Sequence, residues 1–126
     1  MLELGCALAS KLCAGNIVAI EGPLGAGKTT LVRGVLRGLG FEGDVPSPTY
    51  NLVFEHPTVP PVIHADLYRL ESAMDVAELG LFEPDSQRLM LIEWPERAAG
   101  LLPKGVIKII ISHESEGRRV RCQVSP

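Results

Sequence analysis

The sequence predicts an α/β fold, and three features of the chain indicate it. Residues 16–20 are typical of a strand, and residues 30–36, beyond a glycine-rich loop, are typical of a helix. Residues 89–92, Leu-Met-Leu-Ile, form a continuous apolar run of the kind found in buried parallel strands. Residues 49–55 and 62–68 are strand-like and flank a proline-rich loop, which predicts an antiparallel hairpin.

The remaining elements follow from local signals. Residues 2–13 place leucines at helical spacing, and a glycine at position 15 is expected to end that helix. Ser72 is suited to cap a short helix that continues to Glu78. Residues 94–99 carry a proline in what would be the first turn of another short helix. The last two strands are predicted at residues 105–112 and 118–124, joined by a tight turn.

Composition limits the class of protein. The 126 residues suffice for one domain with a substantial core, and 46% hydrophobic with 21% charged residues is a globular composition. The net charge of −3 gives no sign of a basic surface for nucleic acid, so contact with RNA would be local or through a partner. The sequence has no apolar run of about 18 residues and no signal peptide pattern, so we expect no membrane span. Its three cysteines fit no zinc pattern and favour a reducing cytoplasm, where we expect the protein to be located.

The residues from Gly22 to Thr29, GPLGAGKT, match the phosphate-binding loop pattern G-x-x-x-x-G-K-[ST] at every fixed position. Glycines allow the backbone to fold around a phosphate, and consecutive N–H groups then point at its oxygens. Lys28 is placed to reach the β- and γ-phosphates, and the Thr29 hydroxyl is placed to ligate Mg²⁺. The helix that follows adds the positive end of its dipole. The loop therefore predicts binding of a nucleoside triphosphate.

Two acidic residues are candidates for the chemistry. Glu93 follows the apolar run 89–92, and in phosphate-binding-loop proteins such a carboxylate holds Mg²⁺ directly or through water. An exposed carboxylate at a strand end is the alternative for Glu93. Asp66 lies in a strand among apolar residues and would orient water or a magnesium ligand. Its alternatives are a pair with Arg69 or a cap on the turn at Ser72.

Thr49 and Trp94 are further candidates. Thr49 lies in Ser-Pro-Thr before a strand, where a hydroxyl in a switch segment would contact Mg²⁺ or the γ-phosphate. Threonine is also simply a good strand residue. Trp94, the single tryptophan, would either stack near the nucleotide or cover the core. Arg69 and Arg97 are the candidates within the chain for an activating arginine.

The three histidines have less specific contexts. His56 and His113 lie at turn-like or strand-end positions, and we expect both to be solvated. His64 is two residues before Asp66 and so shares its strand face, which favours a local contact over metal binding.

Five segments occur in a specific order: GPLGAGKTTLVRG, SPTYNLV, HADLYRL, ELGLFE and LIEWPERA. Together they resemble the bacterial TsaE family, also called YjeE, which are small ATPases of tRNA threonylcarbamoyladenosine biosynthesis. The resemblance extends from about Leu4 to the C-terminal hairpin. The phosphate-binding loop alone is shared by many families, whereas its combination with SPTY, DLYR and IEWP is highly specific.

The resemblance implies a single P-loop ATPase domain over residues 1–126. Its fold would be a three-layer, P-loop NTPase-like one, with a mixed, mostly parallel sheet and antiparallel edge strands. ATP and Mg²⁺ would be the cofactors, and the proteins TsaD and TsaB the partners, with tRNA reached only through their complex. Family members usually carry a further N-terminal strand, which we expect this chain to lack.

The resemblance also assigns roles to residues. The ATP phosphates would be bound by Gly25, Ala26, Gly27, Lys28, Thr29 and Thr30. Thr29 and Glu93 would ligate Mg²⁺, while Asp66 and Thr49 would support hydrolysis.

Three other functions are compatible with a phosphate-binding loop. A small P-loop kinase would use Asp66 as the base for a substrate hydroxyl, although the sequence has no arginine-rich lid segment. A GTP switch would need the guanine-reading sequence N-K-x-D, which is not present. A non-enzymatic module would use the nucleotide only to control docking to partners, and hydrolysis with and without TsaB and TsaD would distinguish it.

Overall fold

The structure is a computed structural model that describes residues 1–43, 45, 53–82 and 87–124. Its strands are β1 (Ile17–Glu21), β2 (Val53–His56), β3 (Val62–Asp66), β4 (Leu89–Glu93), β5 (Ile107–Glu114) and β6 (Gly117–Val124). Its helices are α1 (Leu2–Ala9), α2 (Lys28–Gly38), α3 (Ala73–Glu78) and a 3₁₀ helix (Pro95–Ala98). No helix in these ranges combines the length and apolar character needed to cross a bilayer.

The strands form one six-stranded sheet in the order β2-β3-β4-β1-β5-β6. The four inner strands run parallel to one another, whereas β2 and β6 run antiparallel to their neighbours at the two edges. This confirms the mixed, mostly parallel sheet with antiparallel edges. Because β1, β3 and β4 are adjacent and parallel, their carboxyl ends meet at one edge of the sheet, where ligands bind in α/β folds.

Helices cover both faces of the sheet and complete the three layers. On one face, Leu31 and Val35 of α2 pack with Val18, Ile20 and other strand residues in one buried cluster. On the other face, α3 and the 3₁₀ helix contribute to a second cluster with alternate residues of the same strands. In β4, Leu89 and Leu91 belong to the first cluster, while Met90 and Ile92 belong to the second. By the same alternation, Glu93 points to the side of α2.

Glycines bring α1 and α2 into backbone contact. A Cβ added to Gly34 would lie 2.2 Å from the Leu2 carbonyl oxygen, and one added to Gly5 would lie 2.3 Å from the Leu31 carbonyl oxygen. Real Cβ atoms do not approach oxygen this closely, so only glycine fits at either position without moving a helix. The close packing fixes α2, whose N-terminus carries the phosphate-binding loop.

Several predicted boundaries differ from the structure. The first helix ends at Ala9 rather than at residue 13, because the chain turns more tightly there: Lys11 N–H donates to Leu8 O, three residues back. The helix after Ser72 is confirmed, and the Ser72 hydroxyl accepts a hydrogen bond from Asp75 N–H at 3.2 Å. The two predicted hairpins are also confirmed.

His56 is not solvated, contrary to the prediction. It is 4% exposed, and its ring meets that of Phe41 edge-on, with 5.0 Å between centroids. His56 is paired with Val62 in the sheet, and Val62 belongs to the cluster under α2. The His56 side chain therefore points into the buried layer under α2 and not into solvent. Burial, and secondarily the electrostatic effect of the neighbouring His64, lower the pKa of His56. His113 is exposed, as predicted.

Candidate functional site

The loop between β1 and α2 has the backbone that its sequence predicts. Gly25 and Gly27 have φ values of 76° and 104°, in the left-handed region that favours glycine. Gly27 is the N-cap of α2, so the unpaired N–H groups of the first helical turn face the loop. The loop forms one wall of a pocket of about 330 Å³, closed on the other side by residues from the ends of β3 and β4.

Lys28 folds back into the loop. Its Nζ donates hydrogen bonds to Gly22 O at 2.5 Å and to Pro23 O at 2.9 Å, and lies 4.1 Å from the centroid of the Trp94 ring. The residue is only 5% exposed. Burial lowers the pKa of Lys28, against the opposing effect of nearby carboxylates, chiefly Glu93. The ammonium therefore has two carbonyl acceptors and an aromatic face within the loop.

Glu93 and Thr29, the two predicted magnesium ligands, lie in direct contact. Thr29 Oγ1 donates to Glu93 Oε1 at 2.9 Å, across 64 residues of sequence. The contact exists because β4 is the parallel neighbour of β1, which places the end of β4 beside the first turn of α2. Glu93 is 2% exposed, so the alternative of a solvated strand-end carboxylate is wrong.

The second oxygen of Glu93 is held by His64. The distance from His64 Nε2 to Glu93 Oε2 is 2.6 Å, and the His64 side chain is fully buried. The two strands are adjacent and parallel, and His64 stands beside Leu91 in the register, two residues before Glu93. The partner of His64 is thus a residue of the neighbouring strand, which the local pattern around His64 and Asp66 did not specify.

Asp66 lines the same pocket from the end of β3. It stands opposite Glu93 in the strand register, and its Oδ1 accepts a hydrogen bond from Tyr68 N–H at 2.9 Å. Burial raises the pKa of Asp66, and the Tyr68 hydrogen bond partly opposes this. Asp66 is therefore a carboxylate at the same edge as the Thr29–Glu93 pair and more basic than one at the surface.

Trp94 lies between the pocket and the buried cluster under α3. Its φ of 58° and ψ of 52° are unusual for a residue with a side chain. The ring packs on that of Tyr68, with 4.8 Å between centroids, at the margin of the cluster under α3. It also lines the pocket beside Lys28. This backbone turn is what directs the indole toward the loop. Strain of this kind, on the order of 1–3 kcal/mol, persists only where the surroundings fix it.

Arg118, which the sequence analysis missed, reaches the loop from β6. Its Nη2 donates a hydrogen bond to Gly25 O at 3.0 Å, across 93 residues of sequence. Arg97, one of the two arginines considered from the sequence, lies 6.0 Å from the centroid of the Tyr68 ring. Arg118 had no motif around it and depends on β6 closing the far edge of the sheet, so no local signal identified it.

The pocket brings together all the predicted site residues that the structure describes: Gly25, Ala26, Gly27, Lys28, Thr29, Thr30, Asp66, Glu93 and Trp94. Thr49 lies outside the described residues, and its predicted role remains a prediction. Within the described ranges, no group of three or more His, Cys, Asp or Glu side chains is arranged to hold a metal ion.

Comparison with known proteins gives a consistent result. The family model described as "Threonylcarbamoyl adenosine biosynthesis protein TsaE" matches residues 1–121. The chain is 43% identical over 108 residues to the TsaE protein of Haemophilus influenzae, covering 82% of this chain and 67% of that one. It is 46% identical over 100 residues to the TsaE protein of Streptomyces coelicolor, covering 76% of this chain and 68% of that one. The chain thus spans about two thirds of the length of these relatives.

A solved structure supports the fold. The crystal structure of Bacillus subtilis YdiB superposes with a TM-score of 0.77 at 26% sequence identity, covering 98% of this chain and 77% of that one. The residues matched by the family model, 1–121, include every residue of the site. The chain belongs to the TsaE family of threonylcarbamoyl adenosine biosynthesis proteins.

Proposed function

We propose that this chain is a magnesium-dependent ATPase that supports the threonylcarbamoyladenosine modification of tRNA together with TsaB and TsaD. The observation that carries the proposal is the contact between Thr29 Oγ1 and Glu93 Oε1 beside the glycine-rich loop. The loop sequence alone accounts for phosphate binding. A hydroxyl and a buried carboxylate at its mouth add the groups needed for a metal-assisted reaction of that phosphate.

The donors at this position fit magnesium. Thr29 and Glu93 both offer oxygen, which Mg²⁺ prefers, and together they supply the small number of protein ligands typical of its sites with nucleotides. When bound, the ion would neutralise charge that develops on the phosphate oxygens during transfer.

The chain's own residues would do the rest of the work. The loop N–H groups and the N-terminus of α2 would bind the phosphates, and Lys28 would exchange the carbonyls of Gly22 and Pro23 for phosphate oxygens. Asp66 would orient the attacking water, because it lies beside Glu93 at the same edge of the sheet. Its raised pKa makes it a better proton acceptor than a surface carboxylate.

The place of the reaction comes from the family. Its model and the relatives carry the description of threonylcarbamoyladenosine biosynthesis. The resemblance to this family implies that ATP binding and hydrolysis allow repeated turnover by an assembly with TsaD and TsaB. We propose the same role here, with tRNA contacted through that assembly.

The test is ATP hydrolysis by the purified chain alone and with TsaB and TsaD, with and without Mg²⁺. We expect slow hydrolysis alone, stimulation by the partners and a requirement for the metal. Glu93→Ala should fold and lose metal-dependent hydrolysis, whereas Glu116→Ala, in an exposed turn, should behave as the wild type. Normal turnover by Glu93→Ala would refute the assigned role, and stoichiometric transfer of phosphate to a small molecule would favour the kinase alternative.

A further inference from the structure

We propose that His64 is a positioning residue that fixes the rotamer of Glu93, so that one carboxylate oxygen is kept toward Thr29 and the metal. The inference rests on the proposed function and adds a residue to it. Nothing in the phosphate-binding loop motif calls for a histidine at this position. The assignment comes from the contacts of Glu93 in the structure.

The two oxygens of Glu93 have different partners. Oε1 accepts from Thr29 at 2.9 Å, and Oε2 lies 2.6 Å from His64 Nε2. A carboxylate anchored at both oxygens cannot rotate about its last bond without losing a hydrogen bond. Because Glu93 and His64 are 2% and 1% exposed, water has little access to replace the lost partner.

The surroundings of the two ring nitrogens of His64 favour one position for the imidazole proton. His64 Nδ1 is buried and has no hydrogen-bond partner among the described residues. A proton on Nδ1 would therefore be a buried donor without an acceptor, which is rarer and more costly than an unused lone pair. Placing the proton on Nε2 makes His64 the donor to Glu93. The carboxylate remains an acceptor on both oxygens.

His64 lies behind the pocket rather than in its wall. It is not among the residues that line the pocket, whereas Glu93 is. Its ring is stacked on that of His56, with 6.4 Å between centroids, and His56 is covered edge-on by Phe41. The imidazole is thus held in a packed layer behind the carboxylate. This is the arrangement by which an outer group orients a metal ligand.

Two substitutions separate positioning from packing. Glutamine can place its amide nitrogen near the position of the histidine Nε2, so His64→Gln keeps a donor toward Glu93. Leucine removes the donor and keeps a buried side chain of similar size, so His64→Leu leaves Glu93 Oε2 unpaired. Each variant would be titrated with fluorescent ATP in the presence of EDTA, and again over a range of Mg²⁺ concentrations.

In EDTA, we expect both variants to bind ATP within about threefold of the wild type, because the loop and Lys28 are untouched. The Mg²⁺ concentration that gives half of the metal-dependent gain in binding should rise about 10- to 100-fold in His64→Leu, the range found for groups that support a metal ligand. His64→Gln should recover most of that loss. Equal Mg²⁺ dependence in the wild type and His64→Leu would overturn the inference, as would a Gln variant no better than the Leu variant.

A spectroscopic measurement on the metal-free wild type tests the same geometry without any substitution. Long-range ¹⁵N–¹H correlation spectra of the imidazoles should assign the His64 proton to Nε2. A neutral ring protonated at Nδ1 would overturn the proposed donation. This measurement does not depend on whether His64→Leu folds. If the wild type showed no effect of Mg²⁺ on nucleotide binding, the proposed function would fail. If it showed the effect and the Leu variant kept it unchanged, only the role of His64 would fail.

Discussion

Lys28→Met is the substitution whose effects on binding and on folding should differ most. Methionine keeps most of the length and apolar volume of the side chain but removes the ammonium. In the free protein that ammonium is buried, donates to Gly22 O and Pro23 O, and lies over Trp94. In the complex with ATP, the same group would lie among phosphate oxygens.

The magnitude follows from the exchange of partners. Each hydrogen bond of a charged group is worth about 1.5–3 kcal/mol, so two bonds to phosphate would contribute about 3–6 kcal/mol. Part of this would be offset, because Lys28 would give up its two bonds to neutral carbonyls in order to bind ATP. We take the net loss in Lys28→Met as about 2–4 kcal/mol, which weakens binding by about 30- to 700-fold at 1.4 kcal/mol per tenfold change.

Folding should be much less affected. The substitution leaves two loop carbonyls without their ammonium donor, which disfavours the folded state. It also removes a buried charge, and the cost of burying that charge is what lowers the pKa of Lys28. We expect the free energy of unfolding to change by no more than about 1 kcal/mol, given these opposing effects.

The assay is titration of each protein with fluorescent ATP, paired with thermal unfolding. Lys11→Met is a matched control, because Lys11 is exposed and does not line the pocket. A Lys28→Met variant that binds ATP within threefold of the wild type would refute the assignment of this ammonium to the phosphates.

Three further predictions concern other parts of the fold. Arg118→Ala removes one hydrogen bond to the loop and should weaken ATP binding about 2- to 10-fold, in line with about 0.5–1.5 kcal/mol. Arg119→Ala, on the same strand, should leave ATP binding unchanged, and titration with ATP compares the two variants. Asp66→Asn should raise the melting temperature near neutral pH and lose that gain in acid. Burial raises the folded-state pKa of Asp66 above 3.8, so the wild type loses stability as the pH rises from that value through the folded-state pKa. An equal gain in melting temperature at neutral and acidic pH would contradict this. Gly34→Ala should reduce the free energy of unfolding by about 1–3 kcal/mol or more in denaturant titrations, because its Cβ would meet the Leu2 carbonyl oxygen. An unchanged midpoint would show that α1 and α2 can move apart at no cost in stability.

The parts of the site that the sequence predicted correctly depend on local order or on a general rule of parallel sheets. The loop and the start of α2 are contiguous in the chain, so their relation is set by a motif of eight residues. Glu93 could be placed beside the loop because the carboxyl ends of adjacent parallel strands meet at one edge.

What the sequence could not predict depends on strand order and on coverage by distant elements. The contact of His64 with Glu93 requires β3 to be the neighbour of β4, and no local pattern specifies that order. The burial of His56 requires Phe41, beyond the end of α2, to fold over it. Arg118 reaches Gly25 only because β5 and β6 extend the sheet on the other side of β1.

The direction of the hydrogen bond between Thr29 and Glu93 also bears on how the two would share a metal. A hydroxyl has one proton and two lone pairs, and an ionised carboxylate can only accept. Thr29 therefore donates its hydroxyl proton in the hydrogen bond to Glu93, and its lone pairs remain available. Glu93 also accepts from His64, and an ionised carboxylate still has lone pairs left for a metal. Thr29 Oγ1 and Glu93 would therefore both offer oxygen to Mg²⁺, and Thr29→Val, which keeps the shape and removes the hydroxyl oxygen, should lose metal-dependent binding as Glu93→Ala does.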